Sequence, residues 1–187
     1  NLVARDAYNG KLLWRKALPP PGPRGWTFRA GTMVVAGPRL YAATGENGAL
    51  QALDAETGNV LVDFKSSYRL LRTAGDMLIA SDVIIHRLNP DSGEKMWSSH
   101  GMDACRRVVL ADGDVYTWAR RRNPETRQAE EGIARLDGAT GRTKWWQPSR
   151  DPLWSVFHGK VIVANEIKLN NAENRRITAR DPADGKV

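Results

Sequence analysis

Gly48-Ala49-Leu50-Gln51-Ala52-Leu53-Asp54-Ala55-Glu56-Thr57-Gly58 is the stretch on which the fold turns. Leu50, Ala52 and Leu53 make a short apolar run of strand type. An aspartate follows, then a glycine four residues on. An Asp side chain accepts hydrogen bonds from backbone N–H groups two or three residues ahead and so pre-forms a turn. The glycine supplies the positive φ that closes such a turn without a Cβ clash. The apolar run Val60-Leu61-Val62 lies beyond, so the whole reads as a β-hairpin.

The same phrase returns along the chain. It appears as Asp6…Gly10…Trp14, Asp54…Gly58…Val62, Asn89…Gly93…Trp97, Asp137…Gly141…Trp145 and Asp181…Gly185. Its first residues are 48, 35, 48 and 44 positions apart, and such a period marks a repeat architecture. Where Trp is present it buries a large surface beside the turn, and its indole N–H requires a polar partner. Val62 stands where the second copy would carry Trp, and Asn89 replaces Asp in the third, so these two are expected to dock less tightly.

Upstream of the later copies lie further strand pairs. Thr32–Ala36 and Leu40–Thr44 flank Gly37-Pro38-Arg39, Arg69–Arg72 and Met77–Ala80 flank Gly75-Asp76, Arg107–Ala111 and Val115–Trp118 flank Asp112-Gly113-Asp114, and Leu153–Phe157 and Val161–Ala164 flank His158-Gly159-Lys160. Four short strands in about 40–45 residues is the arithmetic of a β-propeller blade. The expected blades are 1–21 (partial), 26–66, 67–101, 102–149 and 150–187 (partial). Pro19 to Pro23 reads as a stiff link. A very tight turn is expected at Ser81-Asp82.

The phrase resembles the tryptophan-docking motif of the PQQ-like, quinoprotein-type propellers, whose repeats run Gly-x-Leu-x-Ala-Leu-Asp-x-x-Thr-Gly-x-x-x-Trp. Residues 48–58 match it almost letter for letter, and Leu136–Trp145 match well. The resemblance implies an all-β propeller arc of four-stranded antiparallel blades, about four of a larger seven- or eight-bladed propeller, with the chain read as a fragment. A ring of four, closed by the first hairpin completing the last blade, is disfavoured because the last segment has its own third strand. The docking set is then Asp6, Gly10, Trp14, Asp54, Gly58, Asn89, Gly93, Trp97, Asp137, Gly141, Trp145, Asp181 and Gly185, with Trp14, Trp97 and Trp145 packed between neighbouring blades. Family members are commonly exported, so a periplasmic or extracellular setting is the expectation from resemblance.

Composition sets further bounds. The chain has 187 residues and a formal charge of +7. No stretch approaches the roughly 20 apolar residues of a membrane-spanning helix. A lone Cys105 excludes an internal disulfide. Much of the positive charge sits at Arg120, Arg121, Arg122 and Arg127, and at Arg175 and Arg176. Both groups fall in what read as long connections, Ala119 to Gly132 and Asn165 to Arg176. These are the candidate interaction loops. A solvated hairpin extension balanced by Glu125, Glu130, Glu131 and Glu173 is the plainer reading. The absence of interleaved aromatics weighs against nucleic acid.

Chemistry is sparse in the sequence. His86, His100 and His158 lack metal-ligand spacing. No nucleophile elbow, phosphate loop or haem-attachment motif occurs. Dehydrogenases of the resembling family hold PQQ and calcium. No cofactor site is evident here, and Asp103, Asp151, Asn165 and Glu166 near strand ends carry no motif. Trp26 and Trp154 lie near the entrance to first strands, where a ligand on the axis could be met, but packing is the plainer reading of each. PQQ and calcium belong to the alternative, a segment of a PQQ-dependent dehydrogenase with its cofactor residues mainly in other blades. The leading expectation is a non-catalytic propeller segment that serves as a rigid protein-interaction scaffold. Its partners would be the remaining blades, fused domains or another protein. A basic-faced propeller docking an acidic polymer is the third reading.

Overall fold

The computed structural model describes residues 1–19, 32–164 and 177–187. The described residues are β-strands and turns, with one 3-10 turn at Glu46–Gly48. The strands are β1 Leu2–Arg5, β2 Leu12–Lys16, β3 Met33–Ala36, β4 Arg39–Ala43, β5 Leu50–Asp54, β6 Val60–Asp63, β7 Leu70–Ala74, β8 Met77–Ser81, β9 Ile85–Leu88, β10 Lys95–Ser98, β11 Ala104–Ala111, β12 Asp114–Arg122, β13 Ala129–Leu136, β14 Thr143–Pro148, β15 Leu153–Phe157, β16 Lys160–Ala164 and β17 Ile177–Arg180. They form a β1-β2 hairpin, the four-stranded sheets β3-β4-β5-β6, β7-β8-β9-β10 and β11-β12-β13-β14, and the three-stranded sheet β15-β16-β17. Each sheet follows chain order, as tight hairpin connections require, and this is the blade architecture of a propeller. The link at Pro19–Pro23 falls largely outside the described residues, as does Trp26.

Two compact units divide the chain. The first is Asn1–Asp82 with Arg87–Met96, the second Val83–His86 with Trp97–Val187. In the first unit, Tyr41, Leu50, Ala52 and Phe64 pack with Tyr68, Leu71, Leu78, Ala80 and Leu88. A smaller cluster of Leu40, Ala42 and Leu53 is covered by Leu2 and Trp14. In the second unit, Tyr116 and Ile133 pack against Leu153, Val161 and Val163. Both cores thus join the face of one sheet to the face of the next. Strand β8 is buried at every position, so it reads as a continuous apolar run rather than as an alternation.

The recurring phrase folds the same way each time. Asp54 Oδ1 accepts from the N–H of Glu56 and Thr57 and from the Thr57 hydroxyl, at 3.1, 2.8 and 2.8 Å. The Gly58 N–H donates back to Asp54 O, and the Asp54 N–H reaches Asn59 O. Asp6, Asn89, Asp137 and Asp181 show the same backbone pair. Asn89 makes the same side-chain contacts, at 2.8 and 3.1 Å, so its turn is built no differently from the aspartate turns. The closing glycines all lie at φ between 71° and 78°. Leu53, Leu136 and Arg5, each just before its turn, sit at a register shift in their hairpins.

Candidate interaction site

Four of these turns carry an aromatic side chain from the preceding sheet or hairpin. The Trp14 indole N–H donates to Ala55 O at 2.9 Å, Trp97 to Gly138 O at 3.0 Å and Trp145 to Pro182 O at 2.8 Å. In each case the acceptor is the carbonyl of the turn's second residue. The ring then covers the turn glycine. A Cβ on Gly58 would fall 2.7 Å from Trp14, on Gly141 2.6 Å from Trp97, and on Gly185 2.8 Å from Trp145. The glycine is therefore needed twice, for its φ and for the space above it.

The Val62 copy solves both problems with other residues. Phe64 and Val62 cover Gly93, whose Cβ would meet Phe64 at 3.2 Å and Val62 at 3.3 Å. The Pro90 carbonyl, which has no indole to meet, accepts from Arg39 at 2.8 Å, and Arg39 also pairs with Asp91 at 2.6 Å. Hydrogen bonding to Asp91 holds the Arg39 guanidinium above its ordinary pKa. A comparable arginine acts in the second unit. Arg135 donates to Pro182 O at 2.8 Å and to Asp114 at 2.5 Å, and lies over the Tyr116 ring. Asp114, with 4% of its side chain exposed, also binds Lys144 and the Gly138 N–H. That buried carboxylate is fully satisfied, so its charge is part of the scaffold.

The segment expected as a long connection between Ala119 and Gly132 is not a loop. Strand β12 has nine residues and β13 eight, and their ladder runs on to Arg122↔Ala129. The strands β4 and β5 have five residues each. Alternation along a strand explains the extension: its two faces each carry a packed ion-pair set. On one face Arg121 pairs with Glu130 at 2.7 Å and stacks on Trp146 at 4.3 Å. Glu130 also accepts from Asn123 at 3.0 Å. Hydrogen bonds from Asn123, then Arg121, hold the Glu130 carboxyl below its usual range. Gly132 makes room for the Trp146 ring, since a Cβ there would lie 2.5 Å from it. On the other face Arg106 stacks on Trp118 at 5.0 Å and pairs with Glu131 at 3.1 Å.

The tip is a sixth copy of the phrase, which sequence reading missed. In Asn123-Pro124-Glu125-Thr126-Arg127, Asn123 Oδ1 accepts from the N–H of Glu125 and Thr126 at 2.9 and 3.0 Å, and the Arg127 N–H returns to Asn123 O. Arg127 occupies the glycine position at φ 61°. The signal was the Asn-x-x-Thr spacing, obscured by Arg where every other copy has Gly. Arg120 and Arg122 lie on β12, exposed, and Arg127 is exposed at the tip. Arg175 and Arg176 lie outside the described residues, as do Asn165 and Glu166. A groove of about 440 Å³ runs beside the extension, lined by Ala129, Glu130, Glu131, Pro148, Ser149 and Arg150.

Other candidates fall into structural places. His86 is buried and shares a 2.8 Å hydrogen bond with Ser98, whereas His100 and His158 are exposed. Cys105 is partly buried beside the Met102 sulfur. Among the described residues no group of three or more His, Cys, Asp or Glu is placed to hold a metal ion. No described helix is long and apolar enough to cross a membrane.

Repeated four-stranded sheets whose Asp-x-x-x-Gly turns are clamped by aromatic side chains define a propeller of PQQ-like repeats. The chain belongs to the family described as outer membrane protein assembly factor BamB, whose model matches residues 1–117 and 81–187. No curated protein matches the chain. Among solved structures it is similar to the computationally designed Ika8 protein, with a TM-score of 0.62, 14% identity, and 95% of this chain and 51% of that one covered. It is also similar to the designed Ika4 protein, with a TM-score of 0.57, 14% identity, and 89% and 98% covered. BamB from Moraxella catarrhalis matches at a TM-score of 0.47 and 13% identity, with 98% and 76% covered. The chain thus spans about half the length of Ika8. At such identities these likenesses bear on fold alone.

Proposed function

We propose that this chain is a non-catalytic propeller segment that works as a rigid scaffold for contacts with another protein. Membership of a family described as an assembly factor carries this reading. The placement of charge supports it. Asp114, Arg135, Lys144, Glu130 and Arg39 are committed to holding turns and strands. Arg120, Arg122 and Arg127, exposed on the β12–β13 hairpin, form no ion pair with a described residue, and surface contacts are made by such side chains.

The test opposes scaffold to quinone enzyme. The purified chain is titrated with PQQ and calcium while the quinone absorbance and dye reduction are followed. In parallel, photo-crosslinking residues are placed at the β12–β13 turn and at other exposed positions in cells. Discrete protein adducts with no quinone shift are the expected result. A saturable quinone shift with substrate-dependent dye reduction, and no adduct at any position, overturns the proposal.

A further inference from the structure

The β12–β13 extension is the one place among the described residues where a docking turn has lost its glycine. The five glycine turns close at positive φ without a Cβ, but this turn holds Arg127 at φ 61°. A residue with a Cβ is strained in that left-handed conformation. A strained backbone at an exposed tip points to use of the side chain. The extension also leaves its positive charge unspent. Arg121 takes Glu130 and Arg106 takes Glu131, so among the carboxylates of the β12–β13 hairpin only Glu125 remains for Arg120, Arg122 and Arg127. None of these three arginines forms an ion pair with a described residue.

The geometry selects the ligand. Arg120 and Arg122 are two positions apart on one strand, so they leave the same face about 6.7 Å apart. An extended polypeptide with carboxylates at alternate positions has that spacing, and each guanidinium binds a carboxylate through two parallel hydrogen bonds. The strands beneath are stiffened by the two stacked Arg–Trp pairs, so little order is lost on binding. Nucleic acid is disfavoured because both tryptophans of the extension are covered by Arg106 and Arg121, which leaves no free ring for base stacking. Resting on the scaffold reading, we infer that the β12–β13 extension docks an extended acidic segment of a protein partner, with Arg120, Arg122 and Arg127 as its carboxylate anchors.

The probe is a fluorescein-labelled peptide of alternating glutamate and threonine, with a lysine–threonine peptide and an oligothymidylate of equal length as controls. Anisotropy is read on the whole chain at low and moderate salt. The glutamate peptide should bind in a salt-sensitive way. Arg120→Gln with Arg122→Gln should weaken it about tenfold, and Arg127→Gly more modestly. Lys11→Glu with Lys95→Glu, a larger change of charge elsewhere, should have under twofold effect. All three variants should keep the wild-type circular dichroism, since the altered side chains are exposed. Equal weakening by the Lys11 and Lys95 variant, preference for oligothymidylate, or no glutamate-peptide binding overturns the inference. If that happens while crosslinked adducts persist at other surfaces, the scaffold reading stands and the hairpin is not its docking site.

Discussion

The Arg39 guanidinium donates to the Pro90 carbonyl at 2.8 Å, the position that an indole N–H fills in the other docked turns. The donor comes from the start of β4 instead of from the last strand of the preceding sheet or hairpin. Replacing Arg39 with Met keeps much of its volume but leaves the carbonyl and Asp91 to solvent. Arg39 is partly exposed, so the expected loss is only about 1–2 kcal/mol. Urea unfolding would measure it, and an unchanged midpoint would show that water serves the Pro90 carbonyl equally well.

Phe64 has the other half of that task. It is buried, covers Gly93 and meets the Tyr41 ring edge-on with centroids 6.2 Å apart. Phe64→Ala should cost about 3–4 kcal/mol, as large truncations in packed cores do. Thermal unfolding reports the change. A loss below about 1 kcal/mol would mean that Gly93 needs no cover.

Gly141 and Gly113 share a φ of 72–74° and differ in what lies above them. Trp97 covers Gly141, whereas Gly113 has open space. Alanine at Gly113 should cost about 1 kcal/mol for conformation alone. Alanine at Gly141 should cost about 3 kcal/mol, because it also displaces the indole. Equal losses would detach the tryptophan from the stability of its turn.

Asp137 provides a pH test. Hydrogen bonds from the Thr140 hydroxyl, the Thr140 N–H and Lys144 lower its pKa to about 2. A carboxylate depressed in the folded state contributes stability above its ordinary pKa near 3.8 and loses it as pH falls toward 2. Asp137→Asn retains the turn acceptor, as Asn89 and Asn123 do. That variant should show a shallower fall in melting temperature between pH 4 and pH 2. Parallel acid limbs for both proteins would remove Asp137 from the account.

Arg127→Gly restores the glycine found in the other turns. Relief of the left-handed conformation exceeds the entropy cost of glycine, so a gain of about 0.5–1 kcal/mol is expected, near 2 °C in melting temperature. A lower melting temperature would mean that the Arg127 side chain holds the tip together.

The repeat was legible because its chemistry is local. An Asp or Asn side chain, a small polar residue three positions on (Asn9, Thr57, Ser92, Thr140 or Asp184) and a Gly after it lie within five residues, so in these five copies spacing reports the turn. The strands were legible for the same reason, since alternation and short apolar runs encode a half-buried sheet. Partners brought in from elsewhere were not. Nothing in the phrase at Val62 shows that Phe64 and Arg39 cover the next turn, because those contacts span 29 and 51 positions of chain. Nor does Arg120-Arg121-Arg122 show that the middle arginine alone is bound, against Glu130 and Trp146, while its neighbours face outward.

The sequence by itself determined five of the six turns, most of the strands and the blade period, since each depends on backbone geometry and neighbours a few residues apart; the extension of β12 and β13 and the turn at Asn123 it did not show. Tertiary structure alone decided which charges are consumed and which remain exposed. That depends on the register of β12 against β13 and on the packing of Trp118 and Trp146, which bring distant side chains within a few ångströms.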